Sequence, residues 1–174
     1  MSNQQVHEAA REGDAAALAQ QLKARPTDVD LRGEIGYTPL MFAAREGKLE
    51  AVKLLIEHKG RIGQANDFGL TALHFACGKG HAEIAALLLD NGAGMTASDK
   101  SGQSPLMHAV YNNKPECVKL LLERKADPTQ KATTGRRKGD SAFDIAEEMH
   151  LSDLLVLMGG KVGRVLCSLR TILF

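Results

Sequence analysis

Six histidines and three cysteines are the residues of this 174-residue chain best suited to ligate a metal or attack a substrate. A zinc site needs Cys, His or carboxylate ligands gathered at short spacings. His7, His58, His108 and His150 are scattered singly, and Cys77, Cys117 and Cys167 lack CxxC spacing, so no metal is expected. A catalytic thiol needs an electropositive, partly open setting. Cys77 and Cys117 stand in apolar helical runs and read as small buried hydrophobes. The glycine groups GKG at 78–80 and GGKVG at 159–163 match neither the phosphate-cradling GxxxxGK[ST] nor GxGxxG, and the kinase motif set is missing. No catalytic residue and no cofactor are therefore expected; the chain reads as one that binds rather than reacts.

The elements that position these residues follow a period. Gly36, Gly69 and Gly102 recur at a constant 33-residue step, and Gly139 follows after 37. The aligned openings are GYTPLMFAAREGKLEAVKLLI, GLTALHFACGKGHAEIAALLL, GQSPLMHAVYNNKPECVKLLL and a degenerate GDSAFDIAEEMHLSDLLVLM, with VHEAAREGDAAALAQQL in the same frame. In each, Thr38, Thr71, Ser104 or Ser141 stands where a hydroxyl caps a helix N-terminus, and Pro39 and Pro105 take the first helical position. Leu40, Leu73, Leu106 and Phe143 are followed three residues on by Ala43, Ala76, Ala109 and Ala146, a helical spacing with small residues that permit close packing. Gly47, Gly80 and Asn113 mark left-handed turns. Second helices carry Val52, Leu54, Leu55 and Ile56, then Ile84, Leu87, Leu88 and Leu89, then Val118, Leu120, Leu121 and Leu122. One such pair cannot bury its apolar faces alone, so stability must come from stacking, with polar outer faces at the ends.

This pattern resembles the ankyrin repeat: TPLM, TALH and SPLM stand where that family has its TPLH box. Local phrasing such as MHAVYNNKPECVKLLLERKAD is also similar to ankyrin-only proteins and ankyrin-tailed Nek-type kinases of diplomonad protists. The resemblance implies an all-α solenoid of stacked helix–turn–helix pairs with β-hairpin-like loops, about five repeats including two caps. The expected domain covers 1–158, in units of about 2–35, 36–68, 69–101, 102–138 and 139–158. Gln4, Gln5, Glu8, Arg11, Glu12, Gln20 and Gln21 make the first unit polar; Asp144, Glu147, Glu148 and Asp153 do so in the last. Within the family's signatures His74 and His81 serve local hydrogen bonding. The family's Gly-Ala after the second helix survives as Gly92 and Ala93, but elsewhere reads Lys59 with Gly60 and Lys125 with Ala126, an unusual use of lysine at a left-handed position.

The resemblance further implies a non-enzymatic interaction module, an adaptor, scaffold or inhibitor, that binds a protein partner on a concave surface of hairpin tips and first helices. Carried over by position, the contacts fall on Ile35, Tyr37, Arg45 and Glu46, then Asp67, Phe68, Leu70 and Lys79, then Lys100, Gln103, Tyr111 and Asn112. Three of the seven aromatics, Tyr37, Phe68 and Tyr111, fall in that set and with Leu70 suggest an amphipathic hot spot; Arg45, Glu46 and Lys79 would form its polar rim. The alternative is a regulatory ankyrin fragment related to a larger enzyme such as an ankyrin-bearing kinase. Met1 and the polar ends favour a complete small protein.

Lys and Arg number 22 against 21 Asp and Glu, a net charge of +1, which gives no broad cationic footprint for nucleic acid. Sparse, odd cysteines and the lack of a secretory start point to a reducing compartment, the cytoplasm with nuclear access. No membrane span is expected, and a monomer is. The extra residues before Gly139 gather Lys131, Arg136, Arg137 and Lys138 in one segment read as an exposed basic loop. The tail, 159–174, places Val162, Val165, Leu166, Leu169, Ile172 and Leu173 at helical intervals between Lys161, Arg164 and Arg170. It reads as a capping helix, with partner docking or self-association and weak membrane-surface contact as the other uses of an exposed apolar face.

Overall fold

Hydroxyl side chains fix where the first helix of a unit begins. Thr38 Oγ1 accepts from the Met41 N–H at 3.3 Å, Ser104 Oγ from Met107 at 3.4 Å and Ser141 Oγ from Asp144 at 3.3 Å. Each satisfies a donor that a helix N-terminus leaves open. At Thr71 the His74 ring reaches back, its Nδ1 accepting from the Thr71 N–H at 3.2 Å. Pro39 and Pro105 are the first helical residues.

The structure, a computed structural model, describes residues 4–159. The tail read as a capping helix lies outside the described residues beyond Gly159. Among the described residues ten α-helices form five pairs: α1 (Gln4–Glu12) with α2 (Ala15–Ala24), α3 (Pro39–Arg45) with α4 (Leu49–Glu57), α5 (Ala72–Lys79) with α6 (Ala82–Asp90), α7 (Pro105–Tyr111) with α8 (Pro115–Glu123), and α9 (Ala142–Glu148) with α10 (Ser152–Leu157). Among the described residues the one extended pairing is the bridge Ala65–Thr71. The expected all-α solenoid is the fold found.

First helices pack on first helices and second on second along the stack. The close row is possible because Ala10, Ala43, Ala44, Ala76, Cys77, Ala109 and Ala146 are small and fully buried. Val52 and Leu55, Ile84 and Leu88, and Val118 and Leu121 fill the space behind them. Each such side chain contributes roughly 1.5–3 kcal/mol on burial. Their neighbours Leu54, Ile56, Leu87, Leu89, Leu120 and Leu122 are half-buried, so a second helix commits one stripe rather than its whole apolar run.

Successive hairpins meet backbone to backbone. The Asp67 N–H donates to Ile35 O at 3.0 Å, and the Lys100 N–H to Phe68 O at 2.8 Å. Glycine is needed at residue 69 twice over: its φ is +80°, and a Cβ there would stand 2.9 Å from Lys100 N and Asp99 Cα. The turns after the second helices are left-handed as expected, with Lys59 at φ +64° and Lys125 at +66° beside Gly92 at +89°.

Candidate protein-binding surface

The last turns and caps of α3, α5 and α7 present three residues each at helical spacing to one side: Phe42, Arg45 and Glu46; Phe75, Gly78 and Lys79; His108, Tyr111 and Asn112. Hairpin residues supply the other wall. Ile35 and Phe68 at consecutive tips are 51% and 52% exposed, and Tyr111 is 49% exposed. Ile35 combines that exposure with φ +57°, a conformation that a β-branched residue adopts at a cost.

Tyr37 behaves differently from the other aromatics of the expected hot spot. It is half-buried, its ring 5.0 Å from Phe42 and 5.2 Å from Phe75, with His7 edge-on to Phe42 at 5.6 Å. Tyr37 therefore belongs to a row of rings that floors the surface near α3 and α5. Sequence reasoning missed Phe42 and Phe75. The signal was present, since Phe42 lies three residues before Arg45 and Phe75 four before Lys79, both positions assigned to the surface.

Asp99 and His108 form a second linkage. Asp99 Oδ1 accepts from the Ser101 and Gln103 N–H groups at 2.8 and 2.9 Å, and Oδ2 accepts from His108 Nε2 at 2.9 Å. Burial pushes Asp99 upward, but the hydrogen bond from His108 and those backbone donors more than offset it, leaving the carboxyl below its ordinary range. His108 also meets His74 edge-on at 5.2 Å, so His108 is not the isolated residue its sequence position suggested. The His74 ring accepts at Nδ1 and donates from Nε2 to Gln103 O at 3.2 Å. Burial, with His108 nearby, lowers it to about 4.

The segment read as a wholly exposed basic loop is corrected at one residue. Arg137 turns inward: Nη1 donates to Glu148 at 2.6 Å and to Asp140 at 3.4 Å, and the guanidinium lies 5.2 Å from the Tyr111 ring centroid. A planar cation fits over a ring flanked by carboxylates, so this arginine is drawn out of solvent. Lys131, Arg136 and Lys138 remain exposed. Two hollows result. One of about 730 Å³ is lined by Asp99, Ser101, Gln103, His108, Tyr111, Asn112, Arg136, Arg137, Asp140 and Glu148; one of about 120 Å³ by Leu70, His74, Phe75, Gly78, Lys79, His108 and Asn112. They share His108 and Asn112.

A family profile described as Ankyrin repeats (3 copies) matches residues 6–99 and 60–132, most of the chain. The chain belongs to the ankyrin-repeat family. No curated protein matches it. Ankyrin repeats generally mediate protein–protein interaction and are generally non-enzymatic modules.

Within the ankyrin stack the other chemistry-bearing residues are scaffold. His81 Nε2 donates to Arg45 O at 3.1 Å and His58 Nδ1 to Leu54 O at 2.9 Å, both closing helix ends. Cys77 and Cys117 are buried free thiols on neighbouring repeats, brought into contact although 40 residues apart. That contact and burial push the Cys77 thiol well up, away from thiolate character. Of the expected contacts, Phe68, Tyr111, Lys79, Lys100 and Asn112 are exposed, Leu70 and Gln103 half-buried, Asp67 tied to Arg32 at 2.8 Å, and Arg45 tied to Glu46 at 3.6 Å. No helix of the described residues is long and apolar enough to cross a membrane.

Proposed function

We propose that this ankyrin chain is an adaptor, scaffold or inhibitor that binds a protein partner through the side formed by its hairpin tips and the last turns of α3, α5 and α7. The observation that carries the reading is the exposure of Ile35, Phe68 and Tyr111 together on that side. Large apolar groups that folding leaves in water, rimmed by Lys79, Lys100 and Asn112, are the composition of an interface centre and its rim. Three cysteines without CxxC spacing favour a cytoplasmic setting.

A photo-crosslinking side chain installed at Phe68, at Tyr111 and, on the second-helix face, at Glu57 tests this in cells. Specific adducts from Phe68 and Tyr111 but not from Glu57, weakened by Ile35→Ala, are expected. Adducts from Glu57 alone would place the interface on the opposite face and end the proposal.

A further inference from the structure

Gly78 is a glycine that the fold does not require. It lies inside α5, its backbone needs no positive φ, and the nearest atoms a Cβ there would meet are Asn112 Nδ2 at 3.5 Å, His108 Cβ at 3.9 Å and His108 Nδ1 at 4.0 Å, ordinary contact distances. A helical glycine in such a place is less stabilising than alanine would be. The corresponding residues of the flanking repeats are Arg45 and Tyr111, both with long side chains, so the missing side chain opens a notch midway along the surface. Leu70 and Phe75 wall it, with Lys79 at the edge, and its volume of about 120 Å³ is well below the roughly 300–1,000 Å³ of a small-molecule site. That is the scale of one inserted side chain.

The notch itself is lined by one charged residue, Lys79. The acids stand in the neighbouring hollow, Asp99 against His108, and Asp140 and Glu148 sharing the Arg137 guanidinium. Among the described residues Lys79 makes no ion pair, and it is exposed. We propose that the Gly78 notch receives an aliphatic side chain from an acidic, extended segment of a protein partner, of which a carboxylate pairs with Lys79. The proposal rests on the reading of this side as the interaction surface and names what it selects.

Panning a display library of random dodecapeptides on the full chain supplies the probe, and a recovered peptide, synthesised with a fluorophore, is titrated by anisotropy. Recovered sequences place an aliphatic residue among Asp and Glu. Gly78→Leu fills the notch and weakens the peptide about ten- to a hundredfold, the equivalent of one excluded aliphatic side chain, while melting no lower than the parent. Lys79→Glu weakens it too, and added salt weakens the parent complex. Peptides of basic or purely polar character, or no enrichment at all, overturn the proposal. Peptides that bind Gly78→Leu undiminished yet weaken on Phe68→Ala or Tyr111→Ala overturn the notch and leave the interaction surface standing; indifference to all three substitutions overturns both.

Discussion

Lys59 and Lys125 hold a left-handed backbone that the repeat elsewhere assigns to Gly92, and the three turns are otherwise alike. In each the residue's N–H donates to the carbonyl three back, Lys59 to Ile56 at 2.9 Å, Gly92 to Leu89 at 3.0 Å and Lys125 to Leu122 at 2.9 Å. The next N–H reaches five back, to Leu55, Leu88 and Leu121, each at 2.9 Å. Neither lysine makes an ion pair among the described residues, and both are exposed, so the side chains add little to offset the strain. A non-glycine residue at positive φ costs roughly 1–2 kcal/mol, and glycine returns about 0.4–1 kcal/mol of that through its freer unfolded chain. Lys59→Gly and Lys125→Gly each stabilise by about 1 kcal/mol, and the pair by about 2, because the two turns share no partner. Urea titrations read this as a higher midpoint at unchanged m, and thermal melts as a rise of about 2–4 °C per substitution. Gly92→Lys is the reciprocal control and should cost a similar amount. Midpoints that stay put in all three variants would refute the strain argument.

Two further outcomes follow from side chains the repeat has drawn inward. His74, lowered to about 4 from an ordinary 6.5, binds fewer protons folded than unfolded between those values. Stability therefore falls as pH drops from about 6.5 towards 4, by roughly 3 kcal/mol over the full window. Met41 and Met107 occupy the same place in adjacent repeats, so His74→Met should flatten this part of the pH profile; an equally steep melting-temperature decline in the variant would assign the acid lability elsewhere. Arg137→Ala removes the link between the long loop and Glu148 and Asp140. A loss of about 1 kcal/mol is expected for partly exposed pairs, with faster tryptic cleavage after Arg136 and Lys138. Unchanged cleavage would mean that the Arg137 contacts do not restrain the loop.

What could be read from the sequence was whatever a local rule governs. The caps at Thr38, Ser104 and Ser141, the prolines at helix starts and the left-handed Gly47, Gly80 and Asn113 depend on residues within a few positions, and the structure has them as expected. Contacts between repeats were harder, because a 33-residue period says which positions are equivalent but not which side chains meet across the stack. His108 looked solitary because its partners, Asp99 and His74, come from a hairpin and from the preceding repeat. Cys77 and Cys117 looked unrelated for the same reason. Arg137 looked solvated because the extra loop residues break the register that would have placed it.

The same distinction separates scaffold from specificity in this chain. Positions that obey the repeat, such as Leu73, Ala76 and Gly80, are accounted for by burial or backbone conformation. Gly78 and Ile35 are not: one omits a side chain where helix stability favours one, the other exposes a β-branched side chain in a strained turn. Both departures oppose folding in a known direction, so substitutions that relieve them, Gly78→Ala and Ile35→Gly, should raise the melting temperature while weakening any complex that uses those positions. A purely structural role predicts the opposite for stability, and that opposition in sign makes the two positions the most informative places to test the surface.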